Sequence, residues 1–140
     1  MGQQQLLLLV LAVIIVGIAI VVGITMFRAQ AASSNLDAVT NDLMDLASRA
    51  QQFYIRPVGM GGGGGVFNAA GNAITIAHLT PDPTNDNGTY SLGTINADDI
   101  QITGIGVRDG DNDGTNCTAT VLVDMDPTAT NTITLTVANR

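Results

Sequence analysis

Residues 6–24 read LLLLVLAVIIVGIAIVVGI, a run of 19 residues without a charged or strongly polar side chain. At about 1.5 Å per residue, a helix of that length spans roughly the hydrocarbon core of a membrane. No basic cluster precedes the run, and it is longer than the apolar region of a typical signal peptide. Three interpretations follow: a signal peptide cleaved at residues 29–32, a plain single-pass anchor, or the core of a larger assembly.

The helical pattern continues beyond this run. Six apolar residues recur at intervals of three and four, which places them in a narrow seam on one helix face: Leu36, Val39, Leu43, Leu46, Ala50 and Phe53. The first clear stop is at Arg56-Pro57, because the residue before a proline is pushed out of the α region. We therefore predict one helix over residues 1–55, with an apolar first half and an amphipathic second half. Asp42 lies off the seam, and its replacement is expected to leave stability unchanged.

The charge balance excludes several functions. All 12 acidic residues are Asp, the five basic residues are Arg, and the net charge of −7 falls entirely after the apolar run. The arginines are scattered, whereas phosphate binding needs clustered basic residues, so nucleic acid is not expected as a main partner. Cys117 is the only cysteine, which excludes an intramolecular disulfide and a cysteine-based zinc site.

The second part of the chain changes from helical to alternating periodicity. We predict a glycine-rich linker over residues 56–72, in which Gly61–Gly65 form a flexible tether. Residues 73–140 are predicted to form a small antiparallel β domain. Its four or five strands include one from Ile74, a weaker one over Tyr90–Ile95, and others centred on residues 100–103, 118–123 and 132–137.

Two details of the sheet follow from its apolar pattern. The apolar parity shifts by one residue after Ile102, which predicts a β-bulge near Gly104. The clearest alternation places Ile133, Leu135 and Val137 on one face. We expect that face to cover the helix seam, so the fold class is α+β: a long N-terminal helix packed on an antiparallel sheet.

An apolar helix that continues into an amphipathic half and then into a small β domain resembles the type IV pilins and pseudopilins. The Gly2-Gln3 junction is similar to the leader cleavage site of that family, and Gly17 and Gly23 allow close helix approach. The family's usual Glu near the mature N-terminus is absent, since the chain contains no Glu.

The resemblance implies a filament subunit that is held in the cytoplasmic membrane before assembly and lies in an extracellular surface filament afterwards. Its implied partners are other copies of itself, a prepilin peptidase and a pilus assembly platform. One side of the polymer-core helix would comprise Leu6, Leu9, Val13, Val16, Ile20 and Ile24. The alternatives are a membrane-anchored monomeric β-domain binding module and a pseudopilin of a secretion system.

Short motifs in the β domain suggest further sites. Asp109, Asp111 and Asp113 match the opening of a calcium loop, with the carbonyl of Thr115 as a further ligand. The alternative is a solvated hairpin turn, because Asp, Asn and Gly are the preferred turn residues. Two sequons make Asn87 and Asn116 glycosylation candidates. No residue cluster predicts catalysis.

Overall fold

The computed structural model describes residues 2–110, 113–128, 130 and 132–139. It contains one long helix packed on a four-stranded antiparallel sheet, which confirms the predicted fold class. The strands follow one another as a meander in the order β1-β2-β3-β4. The elements are α1 (Gly2–Ile55), a 3₁₀ turn (Val58–Met60), α2 (Ile76–Leu79), β1 (Gly88–Ile95), β2 (Asp99–Gly106), β3 (Thr118–Asp124) and β4 (Thr132–Asn139).

The seam of α1 forms one side of the core. All six of its predicted residues are buried, together with Ala32 and Ala47. The helix lies across the two central strands, where Ile100 and Ile102 of β2 and Val121 and Val123 of β3 are fully buried. The apolar side chains that recur every three or four residues on the helix thus pack against those that recur every second residue on the strands, and the two apolar faces cover each other.

The expectation that β4 is the main partner of the seam is wrong. Leu135 lies opposite Val121 in the β3–β4 pair, so both side chains are on the helix side of the sheet. Leu135 is nevertheless 39% exposed, and Ile133 and Val137 are only partly buried. Because α1 crosses β2 and β3, the edge strand β4 extends beyond the area that the helix covers.

The predicted bulge near Gly104 is also wrong. The pairing of β2 with both neighbours is regular through Gly104, and the irregularities lie at Leu92/Ile95 in β1 and at Thr118/Ala119 in β3. The buried alternation of β2 continues unbroken, with glycines at inward positions 104 and 106. Ile105 simply faces outward.

The glycine run is packed rather than extended as a tether. The N–H groups of Gly63, Gly64 and Gly65 donate to the carbonyls of Phe53, Arg56 and Tyr54 at 2.8–2.9 Å. These bonds satisfy two carbonyls in the last turn of α1 and one just after its end, which have no partner within the helix. A Cβ atom at Gly62 or Gly63 would overlap neighbouring backbone. The run therefore caps α1 and turns the chain back towards the core.

The segment after the glycines covers the end of the core that lies near the C-terminus of α1. Phe67, Ile74 and Leu79 are buried there. The predicted strand from Ile74 is not formed: Ile74 lies in a loop, and the next residues form the short helix α2.

The seam gives a direct test of this packing. Leu43 is fully buried, and removing most of a buried leucine side chain costs about 2–5 kcal/mol. Since every buried apolar side chain among the described residues lies between Ala32 and Met125, the fragment of residues 31–140 carries that core. We expect Leu43→Ala to lower its free energy of unfolding in urea by that amount. Asn41→Ala, at an exposed position of the same helix, should change it little; equal effects would contradict the packing.

Candidate functional site

The first half of α1, residues 2–27, is an apolar rod that no other described part of the chain covers. Every residue from Gly2 to Gln30 is exposed. The six predicted polymer-core residues follow this rule, with exposures from 67% at Leu6 to 50% at Ile24. The helix is long and apolar enough to cross a membrane. Its surface therefore needs an apolar partner on every side, which is either lipid or protein.

The glycines of the rod have no role in packing within the chain. Apart from the chain neighbours and the backbone of the same helix, no atom lies within 4 Å of the place where a Cβ would stand at Gly17 or Gly23, and α1 is continuous through both. A glycine inside a helix costs about 0.5–1 kcal/mol relative to alanine. Gly2 and Gln3, the candidate cleavage site, lie in the exposed first turn of α1.

Asn35 connects α1 to the β domain by hydrogen bonds, at the point where the exposed rod ends and the folded domain begins. Its Oδ1 accepts hydrogen bonds from the N–H groups of Val107 (2.9 Å) and Arg108 (3.3 Å) and from the Cys117 thiol (3.2 Å). Its Nδ2 donates to the Asn87 carbonyl at 2.8 Å. One amide thereby ties α1 to residues beside the ends of β1, β2 and β3, and fixes where the rod leaves the sheet.

This fastening requires a glycine on the facing strand. A Cβ at Gly106 would overlap both Asn35 Oδ1 and Cys117 Sγ. The amide and the thiol therefore occupy the space that a side chain would need.

We expect Gly106→Ala to destabilise the 31–140 fragment by about 1–3 kcal/mol, the usual cost of overpacking. Gly59→Ala is the matched control, because nothing lies within 4 Å of its Cβ position and its φ angle is not in the left-handed region. Thermal unfolding followed by circular dichroism measures both. An unchanged melting temperature for Gly106→Ala would show that the helix does not approach β2 so closely.

Asp42 makes a second polar contact between α1 and the β domain, which argues against the expectation that its replacement leaves stability unchanged. Its Oδ2 accepts hydrogen bonds from Asn85 Nδ2 (2.9 Å), Asn87 Nδ2 (2.9 Å) and the Tyr90 hydroxyl (2.6 Å). Partial burial alone would raise the pKa of Asp42, but the hydrogen bonds from Asn87, Tyr90 and Asn85 outweigh it, so the pKa lies below its ordinary value. Burial and the bond to Asp42 together raise the pKa of Tyr90.

This carboxylate makes stability depend on pH. Because the pKa of Asp42 is lower in the folded than in the unfolded chain, its contribution is fully present above about pH 4 and is lost as pH falls through the folded-state pKa. We expect Asp42→Asn to lower the free energy of unfolding near neutral pH by about 1–3 kcal/mol. The variant should also lose less stability than the wild type on acidification.

Urea unfolding of the 31–140 fragment from about pH 7 down to about pH 2 measures both effects. Asp37→Asn removes an exposed carboxylate from the same helix and should keep the wild-type acid response. If both variants respond to acid alike, Asp42 is not the group responsible.

The candidate calcium loop is only partly described. Asp111, one of the predicted ligands, lies outside the described residues. Asp109 and Asp113 accept hydrogen bonds from the N–H groups of Gly114 (2.8 Å) and Thr115 (2.7 Å), as in polar turns. Among the described residues, no group of three or more His, Cys, Asp or Glu side chains could hold a metal ion. Calcium binding stays a prediction.

The two sequons differ in their surroundings. Asn116 is exposed in the loop before β3. Asn87 is half-buried, and its Nδ2, the atom that would carry a glycan, donates to Asp42. Of the two candidates, Asn116 is therefore the better placed for modification.

Other polar side chains connect the elements around the C-terminus of α1. The Tyr54 hydroxyl donates to Asp98 at 2.8 Å, and burial together with that bond raises the pKa of Tyr54 to about 12. His78 accepts the Thr75 N–H through Nδ1, and its ring lies 5.0 Å from that of Phe53. These contacts connect the end of α1 to the β1–β2 turn and to α2.

Comparison with known proteins gives no relative: no protein-family model matches the chain, and no curated protein or solved structure is significantly similar to it.

Proposed function

We propose that this protein is the structural subunit of an extracellular filament of the type IV pilus kind, which polymerises through the apolar half of α1. The observation that carries the proposal is the uncovered apolar rod, continuous with a helix half that is covered by its own β domain. Lipid covers such a rod in the membrane before assembly. Copies of the same rod cover it in the filament.

The energetics favour a shared core once the rod leaves lipid. Fully burying one aliphatic side chain is worth about 1.5–3 kcal/mol, and residues 6–24 supply a nearly unbroken series of them. Gly17 and Gly23, which serve no packing within the chain, allow neighbouring helices to approach closely. The polar side chains of Gln3, Gln4 and Gln5 can hydrogen-bond between copies, in place of the charge pair that the family uses.

An aspartate in the rod separates a polymer from a simple anchor. One Asp at a helix centre costs about 3 kcal/mol in membrane insertion, less than the combined gain from the aliphatic residues around it, at about 0.3–0.6 kcal/mol each. Val16→Asp should therefore still reach the membrane. In a bundle of many rods, however, each copy would bury an unpaired carboxylate. We expect Val16→Asp to abolish filaments in negative-stain micrographs of material sheared from cells.

Ser48→Asp is the matched control, since it adds the same charge at an exposed position of the folded half; it should leave filaments intact. Membrane fractionation checks that Val16→Asp is inserted, and N-terminal sequencing of filaments tests cleavage between Gly2 and Gln3. Normal filaments from Val16→Asp would contradict a shared helical core. Wild-type protein found only as a membrane-held monomer would favour the anchored binding module instead.

A further inference from the structure

An open groove lies between α1 and the edge strand. Its volume is about 600 Å³, and its lining includes Ala29, Leu36 and Asp37 from α1 and Leu135 and Val137 from β4. It exists because α1 crosses the central strands and leaves the helix-facing side of β4 partly uncovered. The groove is mostly apolar, with the exposed carboxylate of Asp37 among its lining residues.

A protruding apolar tip lies at the other end of the folded domain. It consists of Ile55, Val58 and Met60, which are 71%, 51% and 73% exposed. The tip follows the end of α1, about 42 Å along the helix from Phe27 at about 1.5 Å per residue. A membrane that holds the apolar rod does not reach that far, so lipid around the rod does not cover the tip.

The charges beside the two features are opposite. Arg56 lies within the tip and is exposed, as is Asp37 in the groove. Within the described part of the chain, neither side chain has a hydrogen-bonding or ionic partner. The tip is apolar and carries a cation, and the groove is apolar and carries an anion. The two surfaces are therefore complementary to each other in both polarity and charge.

We propose that the tip of one copy docks in the groove of the next copy, with Arg56 beside Asp37 of its neighbour. The tip and the groove are different surfaces, so the contact is head-to-tail and can repeat without closing. This inference deepens the proposed function and relies on it for the parallel orientation of neighbouring helices.

The spacing of the two features suits a continuous filament. Leu36 in the groove and Ile55 in the tip are about 28 Å apart along α1, which sets the axial offset between docked copies. The apolar rod, residues 2–27, is about 39 Å long at the same rise per residue. Because the offset is shorter than the rod, consecutive rods still overlap, and the apolar core has no gap.

Cysteine cross-linking of the full-length protein tests this contact. The variant Met60→Cys/Leu135→Cys carries one thiol in the tip and one in the groove, while the native Cys117 is fully buried. A short bismaleimide added to sheared filaments should convert this variant into a ladder of dimers, trimers and longer species. Met60→Cys or Leu135→Cys alone should stay monomeric, since two tips or two grooves do not meet.

Charge reversal tests the polar pairing. We expect Asp37→Arg and Arg56→Asp each to reduce the yield of the ladder severalfold, and the combination of both to restore it. Labelling of each thiol by a monofunctional maleimide in detergent confirms that the cysteines are reactive. The proposed docking would be overturned if the yield of the ladder did not change with either charge reversal. Cross-linked dimers of Met60→Cys alone would overturn it as well.

The outcomes separate this inference from the proposed function. Filaments whose double-cysteine variant gives no ladder would overturn the head-to-tail contact and leave the filament subunit intact. A ladder in membranes of cells that make no filaments would support the contact and count against the pilus-like role. If Leu135→Cys reacts only with a lipid-soluble maleimide, lipid covers the groove, and the docking is wrong.

Discussion

The close crossing of α1 over β2 is the contact on which the rest of the structure depends. Gly106 leaves the space that Asn35 and Cys117 occupy, and Gly104 lies against Val39 and Tyr90 with no room for a Cβ. The helix can therefore lie directly on the strand backbone. That contact fixes how far the rod extends beyond the sheet and leaves β4 at the uncovered edge.

Polar fastenings hold this crossing at three levels of the helix. Asn35 binds the strand ends near the rod. Asp42 binds both β1 and the loop before it, and Tyr54 binds the β1–β2 turn through Asp98. Apolar packing alone would allow α1 to slide along or rotate on the sheet, because it is non-directional. The hydrogen bonds have defined partners, so together they select one register of helix on sheet.

Local periodicity determined what could be predicted from the sequence. The seam from Leu36 to Phe53 and the alternations of β1 to β4 are short-range patterns, and the structure bears them out. The short alternation from Ile74 is the exception, because it leads into α2 and not into a strand. The other errors concern contacts between elements: which strands the helix crosses, and why Gly104 interrupts an apolar alternation. Gly104 looked like a bulge because the sequence does not show that a helix lies above it. Asp42 looked neutral because its three partners lie more than 40 residues away along the chain.

The distribution of charge gives the two halves of the chain opposite roles in the proposed filament. The rod carries no charged side chain, and the net charge of −7 belongs to the folded half and its boundary at Arg28. Neighbouring domains of like charge repel one another, although salt screens this repulsion beyond about 8 Å at physiological ionic strength. The attraction that drives assembly must therefore come from the rods. The charged domains then keep the outer surface soluble, and a contact between them needs local attraction, such as the proposed docking of the apolar tip with Arg56 beside Asp37.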